Sequence, residues 1–345
     1  MKYFELNRFI TRTITITLAF AAFGLSISIA ELRESLPDEA KIAVNRSIPL
    51  IQKSLTEYPL HAACFSCHHQ GVGIFALSTA AKQGYKVDQK VIDAAIGHTC
   101  RDIETDIEEY KKGAGQPGGV TRAGYAMLAL ESGGFKGDTN TSIVSDYLIK
   151  KDSDKAFWHS SSNRPPSERS EFTDTFLAIR SLKAYAESPQ RKQLDEKLKK
   201  SIDWLSNAEV KETEDRTFQL WALKEAKANK DTIKSVVKNL LSEQKPDGGW
   251  AQLPGMESDA YATGNVMSIL LLTNAVSKND PVIKHASEWL LKSQLPDGSW
   301  HVVSRSKPFQ PYFESGFPHG KDQFISMAAT CWATVGLSLA TANGK

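Results

Sequence analysis

A heptapeptide that returns 50 residues later constrains the fold of this chain more than any other feature. Residues 244–250 read Gln-Lys-Pro-Asp-Gly-Gly-Trp and residues 294–300 read Gln-Leu-Pro-Asp-Gly-Ser-Trp. Each copy follows an amphipathic helical pattern and precedes a second, more apolar one, near 261–276 and 324–340. Because Pro-Asp-Gly ends a helix and forms a turn, the repeat predicts units of two helices joined at this heptapeptide.

The same two-helix unit can be followed upstream, although most residues of the heptapeptide are replaced there. The apolar helices of the earlier units begin near Gly71, Gly118, Phe172 and Glu214, and Trp158 stands where the heptapeptide has its tryptophan. This gives six helix pairs, and each pair can bury its apolar face only against its neighbours. Such pairs predict an all-α fold with inner and outer layers, and they suit a closed α/α toroid of about six helix-pair repeats. An open solenoid is the alternative.

The first thirty residues differ from the rest of the chain. Lys2, Arg8 and Arg12 precede an apolar run over 14–29, and the run ends in small residues at Ala30. This pattern is typical of a signal peptide, so we predict a signal peptide over 1–30 and a toroid domain over 31–345. The protein is then exported, periplasmic or extracellular. An uncleaved N-terminal anchor is the alternative.

Charge and cysteine content narrow the possible functions. Without residues 1–30 the chain carries 39 basic and 39 acidic side chains, so it lacks the basic excess that a nucleic-acid partner requires. Its four cysteines are Cys64, Cys67, Cys100 and Cys331. Four cysteines in a chain of this length are too few for a disulfide scaffold, and the fold must depend on its core.

The heptapeptide resembles the QW motif (Gln-x-x-x-Gly-x-Trp) of squalene–hopene and oxidosqualene cyclases, which protein prenyltransferase β subunits keep in diluted form. The two clear copies cover about 231–342. In that superfamily the glutamine and tryptophan tie adjacent repeats of an α/α barrel together. The resemblance thus implies the toroid, and it implies that the motif itself is structural.

A second resemblance concerns residues 257–262, Glu-Ser-Asp-Ala-Tyr-Ala, which are similar to the Ser-Asp-Cys-Thr-Ala stretch of oxidosqualene cyclases. It implies that Asp259 is the acid that protonates an alkene, although Ala260 replaces the cysteine. The other interpretation of Asp259 is an N-cap carboxylate. Prenyltransferases bind zinc through Asp, Cys and His, but Tyr261 replaces the cysteine and the last helix offers no histidine, so zinc is not expected.

One motif is foreign to these relatives. Cys64-Phe-Ser-Cys67-His68 is the C-x-x-C-H signature of covalent haem c, in which two cysteines form thioethers and the histidine binds the iron. The segment also resembles the Ser-Cys-His-His-Gln segments of exported bacterial squalene-cyclase-like proteins. We predict that Cys64, Cys67 and His68 hold haem c, with His68 on the iron. A Cys64–Cys67 disulfide beside an incidental histidine is the alternative.

Several polar residues stand at the starts of the inner helices or in the loops before them. Loops at one end of a ring converge on its mouth, so these residues are predicted to line one site. The alternative is ordinary capping and turn chemistry. The residues are Asp174, Asp215, Tyr261, His319 and Asp322.

Three functions remain open from the sequence. The first is an exported, haem-carrying toroid with a redox partner protein or an apolar, isoprenoid-like ligand. The second is a terpene-cyclase-type enzyme with Asp259 as its acid. The third is a non-catalytic interaction module in which Cys64 and Cys67 form a disulfide.

Overall fold

The computed structural model describes residues 36–308 and 310–342, so the predicted signal peptide lies outside the described residues. In the described part, helices with one exposed face alternate with helices that are buried on nearly all sides. The outer helices are α1 (36–61), α3 (Gln89–Thr105) with the short α4 (Ile107–Lys111), α6 (Thr139–Lys150), α8 (Ser188–Asn207), α10 (Lys230–Ser242) and α12 (Pro281–Ser293). The inner helices are α2 (Val72–Lys82), α5 (Gly119–Ser132), α7 (Glu171–Tyr185), α9 (Thr213–Glu225), α11 (Ala260–Leu272) and α13 (Gln323–Ala340).

Composition explains which helices lie inside. In α10 only Val236 and Leu240 are buried, one turn apart on a single stripe. In α11 every residue from Ala260 to Leu270 is buried, because inner neighbours cover its sides and outer helices cover its back. The six helix pairs predicted from the repeats are confirmed.

The ring is closed by contacts between its two ends. The last inner helix, α13, packs on both α11 and α2. The Ser47 and Thr334 hydroxyl oxygens lie 2.7 Å apart, which joins α1 to α13. On the other side of α13, a Cβ at Gly264 would lie 2.6 Å from the Ala333 nitrogen, so α11 and α13 approach backbone to backbone. The closed toroid is therefore confirmed and the open solenoid is not the structure.

The repeated heptapeptide forms the turn between outer and inner helices. Trp250 and Trp300 are fully buried, as their role in the repeat predicts. Each indole N–H donates to a backbone carbonyl ten residues earlier, at 2.9 Å to Leu240 and 2.8 Å to Leu290. Trp158 makes the same bond to Leu148 at 2.7 Å, so the upstream unit keeps the geometry without the motif.

The motif glutamines connect one repeat to the next. The Gln244 side-chain amide donates to Gly248 within its own turn and to Val282 in the following outer helix, both at 2.9 Å. Gln294 donates in the same way to its own turn and, at 2.9 Å, to the Ala43 carbonyl of α1. The last motif therefore ties repeat six to repeat one and contributes to closure.

Extended structure is nearly absent from the described residues. It consists of one isolated bridge between Arg164 and Glu168, in the loop before α7. One described helical stretch, Gly320–Ala340, has the length and apolar composition of a membrane span, and 83% of its apolar 18-residue window is buried in the ring. Packing in the core accounts for its apolar side chains.

Candidate functional site

The inner helices all begin at one end of the ring, and hydrogen bonds join their first turns into a polar layer. The Thr121 hydroxyl of α5 donates to Asp174 of α7 at 2.8 Å. The Thr173 hydroxyl of α7 and the Tyr261 hydroxyl of α11 both donate to Glu214 of α9, each at 3.0 Å. Residues of four inner helices thus meet at the mouth, and Asp174 and Tyr261 of the predicted mouth residues belong to this layer.

Glu214 is the most perturbed carboxyl of the layer. Its residue is 4% exposed, and burial raises its pKa from 4.5 to about 8, against the lowering effect of the Tyr261 and Thr173 hydrogen bonds. Most Glu214 side chains are therefore protonated and neutral at pH 7. At this pH Glu214 therefore holds a proton that it can donate to a bound molecule.

The residue predicted from the sequence to lie at the mouth is Asp215, the neighbour of Glu214. Asp215 is engaged in the capping box of α9, where its Oδ2 accepts from the Glu212 nitrogen at 3.1 Å. Its Oδ1 accepts from the Ser170 hydroxyl at 2.6 Å. Because capping uses Asp215, Glu214 is the member of the acidic pair that turns into the ring. The sequence feature that could have pointed to Glu214 is the pair of adjacent acids at the start of an apolar helix.

Asp174 is a second buried acid in the layer. It is 1% exposed, and burial raises its pKa from 3.8 to about 7. Its hydrogen bond from Thr121 opposes this shift without cancelling it. Two acids with raised pKa values therefore face the same end of the ring.

An aromatic cluster fills the ring axis. Its members come from α2, α7, α9 and α13, and they are Phe75, Phe176, Phe218, Trp221 and Trp332. Ring centroids lie 4.0 Å apart for Phe176 and Trp221, and 5.6 Å apart for Phe75 and Trp332. Phe218 and Trp221 stand four and seven residues after Glu214, on the same face of α9. Glu214 therefore lies at the N-terminal end of a row of aromatic side chains on α9.

Asp259, the acid implied by resemblance, is the N-cap of α11. Its Oδ1 accepts from the Ala262 nitrogen at 3.0 Å. Burial raises its pKa, and the hydrogen bonds from the helix N-terminus work against that shift. The capping interpretation thus describes its observed position.

The C-x-x-C-H segment lies at the same mouth. Cys67–Gly71 forms one π-helical turn that leads into α2. Cys64 is exposed and Cys67 is buried, and both are free thiols. The His68 Nε2 lies 3.0 Å from the Ser167 hydroxyl, and its Nδ1 lies 3.4 Å from the Glu168 carboxylate. Burial, with a smaller effect of Arg164, lowers the pKa of His68 to about 3, so its imidazole is neutral.

Whether this segment can accept haem c depends on access to three atoms. Thioether formation needs both thiols, yet Cys67 is 8% exposed and hydrogen-bonds to Glu168. Iron binding needs a free imidazole nitrogen, yet both ring nitrogens of His68 face the 164–168 loop. In this conformation the residues do not fit a macrocycle, and haem attachment requires that loop to move away. Haem c stays a prediction.

His319 and Asp322 organise the loop before α13. The His319 Nε2 lies 2.8 Å from the Ser299 hydroxyl. Asp322 lies 3.0 Å from His301 Nε2 and accepts from the Ser304 nitrogen at 2.9 Å. Over 36–308 and 310–342, no group of three or more His, Cys, Asp or Glu side chains is arranged to hold a metal ion.

Comparison with known proteins supports the fold and part of the sequence resemblance. Residues 212–345 match the family described as squalene-hopene cyclase C-terminal domain. Lanosterol synthase of Candida albicans is 38% identical over 69 residues, which are 18% of this chain and 10% of that protein. The match therefore spans about a tenth of the lanosterol synthase.

Solved structures extend the likeness to the whole ring. A variant of the type II terpene cyclase MstE from Scytonema, in complex with geranylgeranyl dihydroxybenzoate (substrate), has a TM-score of 0.54 and 15% identity over 90% of this chain and 99% of that one. A possible member of the GH105 family from Salmonella enterica has a TM-score of 0.53 and 14% identity over 88% and 94%. At such identities the likeness shows the fold. This chain therefore has the α/α toroid fold of the type II terpene cyclase, and its residues 212–345 carry the similarity to the squalene cyclase superfamily.

Proposed function

We propose that this protein is a terpene-cyclase-type enzyme in which Glu214 donates a proton to an alkene of an isoprenoid substrate. The observation that carries the proposal is a buried carboxyl whose pKa is about 8, followed on the same helix face by Phe218 and Trp221. The shared fold with a terpene cyclase supports it. Asp259, by contrast, caps α11 through its Oδ1, although its buried Oδ2 has no hydrogen-bond partner among the described residues.

The chemistry needs an acid, a stabiliser for the cation and a way to recover the proton. The π electrons of the alkene take the proton from Glu214, which leaves a carboxylate and a carbocation. Hydroxyl hydrogen bonds from Thr173 and Tyr261 then stabilise the carboxylate. Aromatic faces stabilise the cation as further alkenes attack it and close rings. The product cation loses one proton and the Glu214 carboxylate takes up one proton, so the reaction consumes no protons and restores the acid.

Space for the substrate must come from the aromatic cluster. The rings of Phe75, Trp221 and Trp332 contact one another across the axis, with centroids 5.6 to 6.4 Å apart. An isoprenoid therefore enters only if these side chains change rotamer and let the chain pass between them. Their displacement also brings the apolar substrate against the aromatic faces, as the proposed mechanism requires.

The test is to incubate the purified protein with squalene and with geranylgeranyl-bearing compounds, and to search for cyclised products by gas chromatography and mass spectrometry. We expect product from the wild type and from Asp259→Asn, because asparagine is also a good N-cap. We expect none from Glu214→Gln. Product from Glu214→Gln but not from Asp259→Asn would assign the acid to Asp259. No product from the wild type would overturn the enzyme proposal.

A second candidate function is the haem-carrying, redox-active toroid, favoured by the exposed Cys64 beside the mouth and by the motif itself. The protein should be produced with the cytochrome c maturation proteins and exported. Covalent haem gives a strong Soret band and a mass increase that survives denaturation, whereas a Cys64–Cys67 disulfide gives only the loss of two hydrogens. The double variant Cys64→Ala, Cys67→Ala should lose the haem, and His68→Ala should perturb the iron spectrum.

Export is part of this second proposal, because covalent haem c is attached outside the cytosol. N-terminal sequencing of the protein recovered from the periplasm should begin at Glu31 if residues 1–30 are removed. A protein that shows neither cyclised product nor haem would leave the third function, a non-catalytic interaction module.

A further inference from the structure

A separate cleft opens beside the start of α5, and Glu214 is not among the residues that line it. We call it the glycine-loop cleft. It has a volume of about 440 Å³. It lies between the loop before α5 and the segment after α6. Its lining includes Gly118, Gly119, Val120, Tyr147, Lys151 and Asp152.

Glycine is required on one wall of this cleft. Gly115, Gly118 and Gly119 have φ angles of 71°, 98° and 55°, in the left-handed region that side chains disfavour. A Cβ on Gly115 would lie 2.9 Å from the Tyr147 hydroxyl, and one on Gly119 would lie 2.7 Å from the Ser161 hydroxyl. The absence of side chains therefore lets the backbone of this loop come close to both hydroxyls.

The same loop presents the N-terminus of a helix. The N-cap of α5 is Gly118, and within the described residues no side chain caps the helix. The backbone N–H groups of Val120 and Thr121 stand in the first turn of this 14-residue helix, at the positive end of its dipole. Such a helix start binds negatively charged oxygen atoms.

Tyr147 supplies an independent observation that points to a ligand. Its residue is 2% exposed, and among the described residues its hydroxyl has no hydrogen-bond partner. Burial raises its pKa to about 12, so the hydroxyl keeps its proton and can donate it. Buried hydroxyls in folded proteins are nearly always bonded. The Tyr147 hydroxyl therefore needs an acceptor that the described residues do not supply.

The wall of the cleft carries one exposed cation and one acid. Lys151 is exposed on the wall, with its ammonium 5.9 Å from the centre of the Tyr147 ring. The acid on the wall, Asp152, is compensated, because it pairs with Lys155 at 3.1 Å and accepts from the His159 nitrogen at 2.9 Å. Among the described residues Lys151 makes no ion pair, so one cation remains over the Tyr147 ring.

From these contacts we propose that the glycine-loop cleft binds a phosphate group, held by the N–H groups that open α5, by the Tyr147 hydroxyl and by the Lys151 ammonium. The group is either free inorganic phosphate or the phosphate of an organic monoester, since the cleft is larger than the ion alone. The proposal does not depend on the function proposed for Glu214.

Isothermal titration calorimetry of the purified protein, at constant ionic strength, tests this proposal with inorganic phosphate and with an isoprenyl monophosphate. We expect Tyr147→Phe to weaken phosphate binding by about tenfold, the effect of one lost hydrogen bond to a charged group. Lys151→Gln should also weaken it and should reduce its dependence on salt. Tyr185→Phe is the matched control, because its hydroxyl donates elsewhere, to the Phe135 carbonyl at 3.1 Å, and it should bind as the wild type does.

The two ligands separate the sources of the phosphate. Tighter binding of the monoester by at least about tenfold identifies an organic phosphate, and equal or weaker binding identifies the free ion. The proposal is overturned if the wild type binds neither ligand at millimolar concentration. It is equally overturned if Tyr147→Phe binds both as tightly as the wild type, since a structural role for this hydroxyl would leave binding unchanged.

Discussion

Replacing Glu214 by glutamine should change how the stability of this protein depends on pH. The burial that raises the pKa of Glu214 to about 8 means that the folded state holds its proton more tightly than the unfolded chain, where the pKa is 4.5. Below pH 4.5 the carboxyl is protonated in both states. Between pH 4.5 and pH 8 only the unfolded chain releases the proton, so stability falls as the pH rises. Above pH 8 the stability that the protonated Glu214 loses on ionisation is fully lost.

The size of this effect follows from the shift. Each pKa unit corresponds to about 1.4 kcal/mol, so the whole shift is worth about 5 kcal/mol, of which roughly 3 to 4 kcal/mol falls between pH 5 and pH 8. Glutamine is neutral at every pH and can still hydrogen-bond to Thr173 and Tyr261. The Glu214→Gln variant should therefore gain roughly that amount, relative to the wild type, between pH 5 and pH 8.

Urea unfolding of the two proteins at pH 5, 6, 7 and 8 measures the difference. Asp174, whose pKa is about 7, adds its own pH dependence to the stability of both proteins. This contribution cancels when the two stabilities are subtracted. Glu209→Gln changes an exposed glutamate in the preceding loop, with a side chain 80% exposed, and should follow the wild type at each pH. If Glu214→Gln also runs parallel to the wild type, Glu214 ionises normally and the proposed acid is wrong.

Two further predictions concern the repeats. Trp300→Ala removes a fully buried indole and should lower the free energy of unfolding, measured in urea, by about 3–5 kcal/mol. Trp289→Ala changes a partly exposed tryptophan and should lower it less. Equal losses in the two variants would contradict the packing role of the motif. Gln294→Ala removes the bond to Ala43 and should cost about 1–3 kcal/mol, with faster amide exchange in α1. Gln244→Ala breaks the equivalent bond between repeats five and six, and should leave exchange in α1 unchanged.

The mouth of the ring combines two features that the sequence presents separately. Glu168, from the loop before α7, is buried against Cys67 and His68 of the first repeat and pairs with Arg164. The 164–168 loop therefore covers the C-x-x-C-H segment, and its departure is the change that haem attachment would require. Nothing in the local sequence of either segment indicates this contact, because about 100 residues separate them.

The sequence by itself determined the helix pairs, their order and the place of the buried tryptophans. These features are local: apolar periodicity sets the helices, Pro-Asp-Gly sets the turns, and Trp250 and Trp300 each bond to a carbonyl ten residues earlier. The same locality explains why Trp158 could be placed correctly in a unit that lacks the motif. The resemblance to a known closed ring favoured closure, and the contact between α13 and α2 established it.

Only the tertiary structure decided which acid faces the ring. Glu214 and Asp215 are adjacent and chemically similar, and from the sequence we predicted Asp215 at the mouth. The capping box fixes Asp215 at the helix start, while Thr173 and Tyr261, from two other helices, enclose Glu214. A pKa shift of this size comes from the removal of water by residues distant in the chain. Side-chain burial is a property of the assembled ring, so no pattern in one helix could have revealed it.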